Sequence, residues 1–340
     1  MNSRCSYPAF QANRKEYRLL RLLVSTASTI WSCKGERLAV LIFHRVRAQR
    51  DPLFPGEPDR AQFADAMEVV ARCFNCLPLD EALQRIASGA SLPKRAVAIT
   101  FDDGYADNFT EALPILRRLG LTATFFIASG FLDGGCMWND EAVESLRAYA
   151  GPEIDLRPMG LEVRSVRTSA EKSAAIDAVK RRLKYQATAA RRESLDILRD
   201  ITGRPRLPRL MLSSVQVRKM HSLGMGIGGH TVNHPILACL DDDVALREIG
   251  EDRERLAGII GGLPSLFAYP NGKPGQDYLP HHASMVRAVG YRGAFTTVWG
   301  VTSRGIDMFQ LPRFSPWDRQ PTRFALRLAH SYTRNRFRLA

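Results

Sequence analysis

The stretch AVAITFDDGYADN, residues 96–108, decides the fold. Residues 96–101 are apolar and rich in strand-forming side chains, which predicts a buried β-strand. Two adjacent carboxylates, Asp102 and Asp103, follow at once and precede a glycine. Neighbouring acids repel each other and are costly to desolvate, so the pair indicates either an exposed turn or a functional site at the end of the strand.

Strand-like runs alternate with helical patterns along the chain. The runs lie at residues 38–43, 96–101, 122–128, 225–229, 265–269, 293–297 and 309–314, and the helical patterns at 61–74, 79–87, 106–119, 214–223, 242–260 and 281–289. This alternation predicts an α/β fold with a parallel sheet, either open or closed into a barrel. In such folds the functional sites gather at the carboxyl ends of the strands, where the Asp pair lies.

The interval 132–212 interrupts the alternation and is basic and largely helical, with helices expected at 139–149 and roughly 169–200. We interpret it as an insertion into one domain of residues 36–318. The net charge of +13 is concentrated in residues 157–209 of this insertion, which carry fourteen Lys/Arg against six acids, and at the two ends of the chain. Residues 1–35 form a basic N-terminal segment, and residues 319–340 are expected to form a basic C-terminal helix.

The charge and hydropathy patterns indicate which kinds of molecule this protein is expected to bind. No basic stripe interleaved with aromatic residues is present, so nucleic acid is not expected to bind. No apolar run of about 18 residues predicts a membrane-spanning helix, and no signal peptide is recognised. We therefore expect a cytoplasmic protein whose basic ends make peripheral contact with an anionic inner-membrane surface.

A pair of histidines follows another strand. GGHTVNHPIL carries His230 and His234 directly after the run at 225–229. Four-residue spacing would place both imidazoles on one side of a helical turn. Together with one carboxylate of the Asp pair they make a three-ligand metal set with room for water, which is typical of a catalytic site. The second carboxylate is then available to take a proton from the attacking water.

Several motifs resemble those of a known family. TFDDGYADN, HTVNHP and FAYPNG are similar to the first three motifs of the polysaccharide deacetylases, the NodB-homology carbohydrate esterases of family four. LIFHRV, DPLFP, LPLDEAL and LPRF extend the resemblance over roughly residues 38–316. The resemblance implies a distorted (β/α)7 barrel and metal-dependent removal of N-acetyl groups from sugars.

The resemblance also implies roles for individual residues. Asp102 matches the general base, and Asp103, His230 and His234 match the metal ligands. The position of Asn271 implies that its backbone N–H lines the oxyanion hole, in a turn shaped by Pro270 and Gly272. Zinc suits the ligand set best, and cobalt, nickel and manganese are the alternatives.

Two departures from the family pattern concern charge and the general acid. The usual motif-three arginine is replaced by Ala268, and Arg313 in LPRF either supplies the missing positive charge or is a surface residue. The usual late histidine is replaced, in our interpretation, by His44 at the end of the first strand, which is either the general acid or a structural residue. His330 lies in an Arg-rich helical tail and is discounted.

The predicted function is metal-dependent N-deacetylation of a polysaccharide, oligosaccharide or lipid-linked saccharide. Two alternatives stay open from the sequence. One is hydrolysis of a non-sugar amide by the same chemistry. The other is a catalytically inactive relative that binds glycans, which the two departures from the family pattern would explain.

Overall fold

The computed structural model describes residues 20, 37–316, 318 and 320–332. The predicted basic segment 1–35 therefore lies outside the described residues, apart from Leu20. The first half of the domain contains β1 (Arg37–Phe43), α1 (Arg60–Cys73), β2 (Asn75–Cys76), α2 (Leu79–Ser88), β3 (Ala96–Phe101), a π-helical turn at Asn108–Ala112, α3 (Leu113–Arg118) and β4 (Thr124–Ile127).

The interval between β4 and the second half contains α4 (Trp138–Ala148), β5 (Glu153–Asp155), β6 (Val163–Ser165), α5 (Ser169–Leu183) and α6 (Thr188–Ile201). The second half contains α7 (Ser214–Ser222), β7 (Gly226–Gly229), α8 (Asp242–Ile260), β8 (Leu266–Ala268), α9 (Pro280–Val289), β9 (Gly293–Trp299), β10 (Thr302–Ser303), β11 (Leu311–Arg313) and α10 (Pro321–Ser331).

Seven parallel strands form the barrel, in the order β1, β3, β4, β7, β8, β9 and β11. The ring closes where Phe314, just after β11, pairs with β1: the Phe314 N–H donates to the Val40 carbonyl at 2.7 Å, and the Ile42 N–H donates to the Phe314 carbonyl at 3.0 Å. Short strands distort the ring, with β2 beside β3 and β10 antiparallel to β1. The predicted distorted (β/α)7 barrel is thus confirmed.

The barrel strands are buried on both faces, which explains their continuous apolar sequences. In β1, Leu38 and Val40 belong to one hydrophobic cluster with Phe126 and Phe295. The alternate residues of β1 belong to the cluster that packs under α1. Because all seven strands run in one direction, their carboxyl ends meet at one rim of the barrel.

The insertion has a hydrophobic cluster of its own. Helices α4, α5 and α6 and the β5–β6 hairpin bury residues that include Leu146, Ile154, Ile176, Val179 and Leu195. The single helical span expected at 169–200 is wrong in detail, since the chain leaves α5 after residue 183 and begins α6 at residue 188. The break lets both helices pack their apolar faces on the same cluster.

The C-terminal helix α10 packs on the barrel rather than standing apart from it. Phe324, Ala325, Leu328 and Ala329 are buried in the cluster under α1. The predicted basic helix 319–340 is described only at residues 320–332, and its other residues lie outside the described part. Within the described ranges, no helix has both the length and the apolar character needed to cross a bilayer.

Candidate active site

A cavity of about 460 Å³ opens at the carboxyl rim of the barrel. Its wall on the barrel side is formed by His44, Asp102, Asp103, His230, His234, Asn271 and Thr297. Its other wall comes from the insertion, with Trp138, Asn139, Asp177, Lys180, Arg181 and Lys184. The predicted base, general acid, metal ligands and oxyanion residue thus face one space, although they come from four separate strand ends.

The cavity wall brings together the three predicted metal ligands, Asp103, His230 and His234. The Nε2 atoms of both histidines lie 3.3 Å from Oδ1 of Asp103. The expectation of a helical turn is wrong, because residues 230–234 form an irregular loop. Positive φ angles at Asp103 (76°) and His234 (51°) aim the side chains instead, and such strained backbone is concentrated at functional sites.

Neighbouring groups fix the orientation of His230. Its Nδ1 donates to the Ala268 carbonyl at 2.7 Å, and its main-chain N–H donates to Oδ2 of Asp252 at 2.9 Å. Asp252 also accepts the Ser129 N–H at 3.1 Å. Burial raises the pKa of Asp252 to about 7. No sequence motif marks Asp252, which lies among other charged residues of α8.

The donor set fits a divalent metal. With Nδ1 donating to the Ala268 carbonyl, Nε2 is the nitrogen of His230 that faces Asp103, and in the neutral ring its lone pair is available to a cation lying between the two. Tetrahedral zinc with bonds of about 2.0–2.1 Å separates its ligand atoms by roughly 3.3 Å, which matches the observed spacing. Burial lowers the pKa of His234 to about 4, so this ring is neutral at pH 7, the form that binds metals.

The close approach of Asp103 and the two histidines also shifts the pKa values of Asp103 and His230. Burial opposes the ionisation of Asp103, but its hydrogen bond with His230 and the nearby imidazoles hold its pKa below the ordinary value. Burial also opposes the protonation of His230, yet the two carboxylates raise its pKa. The two carboxylates therefore favour positive charge beside them, which a metal ion held by Asp103, His230 and His234 would supply.

Asp102 is paired with Arg313 of β11. Arg313 donates from Nη1 to Oδ1 and from Nη2 to Oδ2 of Asp102, both at 2.7 Å, and from Nε to the Thr296 carbonyl at 2.8 Å. Arg313 is 1 % exposed and is therefore not a surface arginine. Burial alone would raise the pKa of Asp102, but the charge of Arg313 outweighs it and holds that pKa below the ordinary value.

The turn after β8 presents the Asn271 backbone to the cavity. Asn271 has a φ of 59°, and its carbonyl accepts the Thr297 hydroxyl at 2.7 Å. Within the described residues its own N–H has no acceptor. Pro270 accepts the Gly272 N–H at 2.7 Å, and a Cβ on Gly272 would lie 2.9 Å from the Thr297 nitrogen. The turn therefore requires glycine at residue 272.

His44 lies exposed on the cavity wall, directly after β1. The Asn108 side chain donates to the His44 carbonyl at 2.9 Å, which fixes the backbone and leaves the ring facing the cavity. His330 does not line this cavity. The insertion residues on the opposite wall were not predicted, because nothing in the sequence indicates where an insertion folds back.

A second group of donors lies at the starts of α8 and α9 and does not line the cavity. Asp242, His281 and His282 bring ligand atoms within 4.8 Å of one another. However, Nδ1 of His282 accepts the Leu279 N–H at 2.9 Å, so the neutral ring carries its proton on the other nitrogen. This group therefore lacks a free lone pair on its buried member.

The family assignment follows from comparison with known proteins. A family model described as polysaccharide deacetylase matches residues 89–294, well over half of the chain. The chain belongs to the polysaccharide deacetylase family. Its matched segment contains the Asp pair, both histidines of the donor set and the Asn271 turn.

One curated relative matches part of the chain. The Bacillus subtilis (strain 168) protein YxkH, which is named as a polysaccharide deacetylase, is 28 % identical over 102 residues. That match spans 30 % of this chain and 36 % of the relative, or about a third of its length.

Two solved structures share the fold. IcaB from Ammonifex degensii has a TM-score of 0.57 at 18 % identity, and the match covers 88 % of this chain and 98 % of that one. The Streptococcus pyogenes deacetylase PplD, solved in complex with acetate, has a TM-score of 0.55 at 17 % identity, with coverage of 83 % and 93 %.

Proposed function

We propose that this polysaccharide deacetylase is a metal-dependent hydrolase that removes N-acetyl groups from an N-acetylated polysaccharide, oligosaccharide or lipid-linked saccharide. One observation carries the proposal. The Asp103, His230 and His234 donor set lies beside a second carboxylate, Asp102, that a buried arginine keeps ionised. Such a pair of acids separates metal binding from proton transfer.

Asp103, His230 and His234 would hold the metal, with zinc favoured by two imidazoles and one carboxylate and cobalt, nickel or manganese as alternatives. When bound, the metal polarises the amide carbonyl and makes water more acidic. Asp102 accepts a proton from the attacking water on a carboxylate oxygen, while Arg313 holds that carboxylate in place. The role of Arg313 is positioning, since it contacts the base.

The remaining residues act on the developing charges. The Asn271 N–H, without an acceptor among the described residues, donates to the oxygen that becomes negative as water adds to the carbonyl carbon. His44 donates a proton from its ring to the amide nitrogen, so that the C–N bond breaks and a free amine leaves. Acetate and the amino sugar are the products.

The test is acetate release from a panel of N-acetylhexosamine oligomers and small cyclic amides, with zinc, cobalt, nickel or manganese added to metal-stripped protein. Asp102→Asn should lower turnover by at least about 100-fold, the scale of general base catalysis. Asp243→Asn, which removes an exposed acid at the start of α8, serves as the matched control and should retain activity. Turnover of cyclic amides alone would establish the non-sugar alternative.

The geometry also bears on the inactive alternative. A glycan-binding relative that had lost catalysis would have no use for a base held by two 2.7 Å bonds to a buried arginine. Tight binding of N-acetylated oligomers without acetate release, in protein fully loaded with metal, would overturn the proposal and favour this alternative.

We further propose a cytoplasmic location with peripheral contact to the anionic inner-membrane surface through the basic ends. The apolar face of α10 is occupied by the barrel, so Arg323 and Leu326 are on its exposed side. The protein should sediment with vesicles of anionic lipid at low salt and be released as salt increases. Equal sedimentation with neutral vesicles would contradict the proposal.

A further inference from the structure

The insertion places a basic helix face on the wall of the cavity opposite the metal donors. Lys180, Arg181 and Lys184 of α5 and its C-terminal cap line the same space as Asp103 and the two histidines. Asp177, one turn earlier, is the acidic residue of this face. The proposed chemistry of the donor set uses none of these four side chains.

The opposite face of α5 is firmly packed. Ile176, Val179 and Leu183 are buried in the insertion cluster, and Nζ of Lys172 donates to the Tyr149 carbonyl at 2.8 Å. Arg182 points the other way and donates to the Met159 carbonyl at 3.2 Å. Helical periodicity then leaves residues 177, 180, 181 and 184 to face the cavity.

Two of the cavity cations have no carboxylate partner. Lys184 lies 3.5 Å from Oδ1 of the buried Asp277. Lys180 and Arg181 form no ion pair with any described residue, and the neighbouring Asp177 is within 4.0 Å of neither. Nζ of Lys180 lies 5.9 Å from the centre of the Phe54 ring.

A cavity wall with unpaired cations attracts anions, because charge in a concave site is less screened than on an open surface. Basic residues in the last turn of a helix also interact with its dipole. The helix dipole accounts equally well for Arg182, which faces away from the cavity. It does not explain why Lys180, Arg181 and Lys184 all line the cavity. A cavity of about 460 Å³ has room for a ligand that reaches both walls.

We propose that Lys180 and Arg181 bind an oxyanion on the saccharide substrate, so that the enzyme acts on an anionic N-acetylated saccharide. The inference rests on the proposed function, since the acetamido group must lie at the donor set while the anion lies at α5. Phosphate and carboxylate share the chemistry that the planar guanidinium of Arg181 recognises. The half-buried ring of Trp138 lies on the same wall and offers a surface for the sugar between the two ends.

The test compares affinities, so it does not depend on turnover. Zinc-loaded wild-type protein is titrated by calorimetry with three probes: a neutral N-acetylglucosamine oligomer, N-acetylglucosamine 1-phosphate, and an oligomer alternating N-acetylglucosamine with a uronic acid. We expect one or both anionic probes to bind at least 10-fold more tightly than the neutral one. In Lys180→Gln/Arg181→Gln protein this ratio should approach 1, since a hydrogen bond to a charged group contributes about 10-fold or more.

The matched control is Arg206→Gln/Lys219→Gln, which removes one arginine and one lysine from exposed positions that do not line the cavity. It should keep the wild-type ratio. An equal fall in both double variants would mean that net charge, and not α5, attracts the anion, and would overturn the inference. So would equal affinity of wild-type protein for the neutral and anionic probes.

The two proposals fail separately. Acetate release from the neutral oligomer with no preference for either anion would leave the deacetylase intact and refute the anion site. Preferential binding of an anionic probe without any acetate release would support the anion site and refute the deacetylase activity. The preferred probe identifies the source of the oxyanion, phosphate or carboxylate.

Discussion

Arg313→Met tests the buried ion pair at the centre of the site. Asp102 and Arg313 are 2 % and 1 % exposed and share two hydrogen bonds of 2.7 Å. Methionine preserves much of the apolar stem of the side chain but leaves the Asp102 carboxylate buried without its partner. Breaking such a pair costs about 3–5 kcal/mol in the free energy of unfolding.

The assay is urea unfolding of metal-free protein followed by tryptophan fluorescence, so that metal affinity does not enter the comparison. Arg118→Met, at an exposed position in α3, is the matched control and should change stability by less than about 0.5 kcal/mol. The double variant Asp102→Asn/Arg313→Met should regain most of the loss without regaining acetate release. A loss below about 1 kcal/mol for Arg313→Met would refute the reasoning, because it would mean that water or another cation replaces the guanidinium.

Two further predictions concern the last residue of β7 and the insertion wall of the cavity. Gly229→Ala would place a Cβ 2.1 Å from the Tyr291 hydroxyl and 2.8 Å from Oδ2 of Asp252, so we expect a loss of about 1–3 kcal/mol and weaker zinc binding. Gly258→Ala in α8 meets nothing within 4 Å and should be neutral or stabilising, and equal unfolding midpoints for the two variants would contradict the clash. Trp138→Ala should raise KM for N-acetylated oligomers several-fold while Trp138→Phe largely preserves it, and an unchanged KM in the alanine variant would exclude stacking on this ring.

The location of the site at the strand ends was predictable from the sequence because apolar runs are followed directly by polar residues there. Buried parallel strands appear as continuous apolar runs, and the polar residues that follow them meet at one rim by the geometry of the barrel. For this reason Asp102, Asp103, His230 and His234 could be placed together although His230 lies 127 positions after Asp103 in the sequence. The family resemblance added the closed barrel and the assignment of Asp103 to the metal and Asp102 to the base.

The remaining features depend on tertiary contacts that no local pattern encodes. The spacing of His230 and His234 was compatible with a helix, but the loop conformation is set by hydrogen bonds to Asp252 and Ala268. The partner of Arg313 lies 211 residues away in sequence and is determined by where β11 closes the ring. The position of α5 over the cavity depends on how the insertion packs on its own core, which composition alone does not reveal.

Anomalous scattering at the zinc edge from zinc-soaked crystals would locate the metal ion directly. We expect a single strong peak between Oδ1 of Asp103 and the Nε2 atoms of His230 and His234, absent from Asp103→Asn protein. No peak there at saturating zinc, or a peak only beside Asp242 and His281, would contradict it.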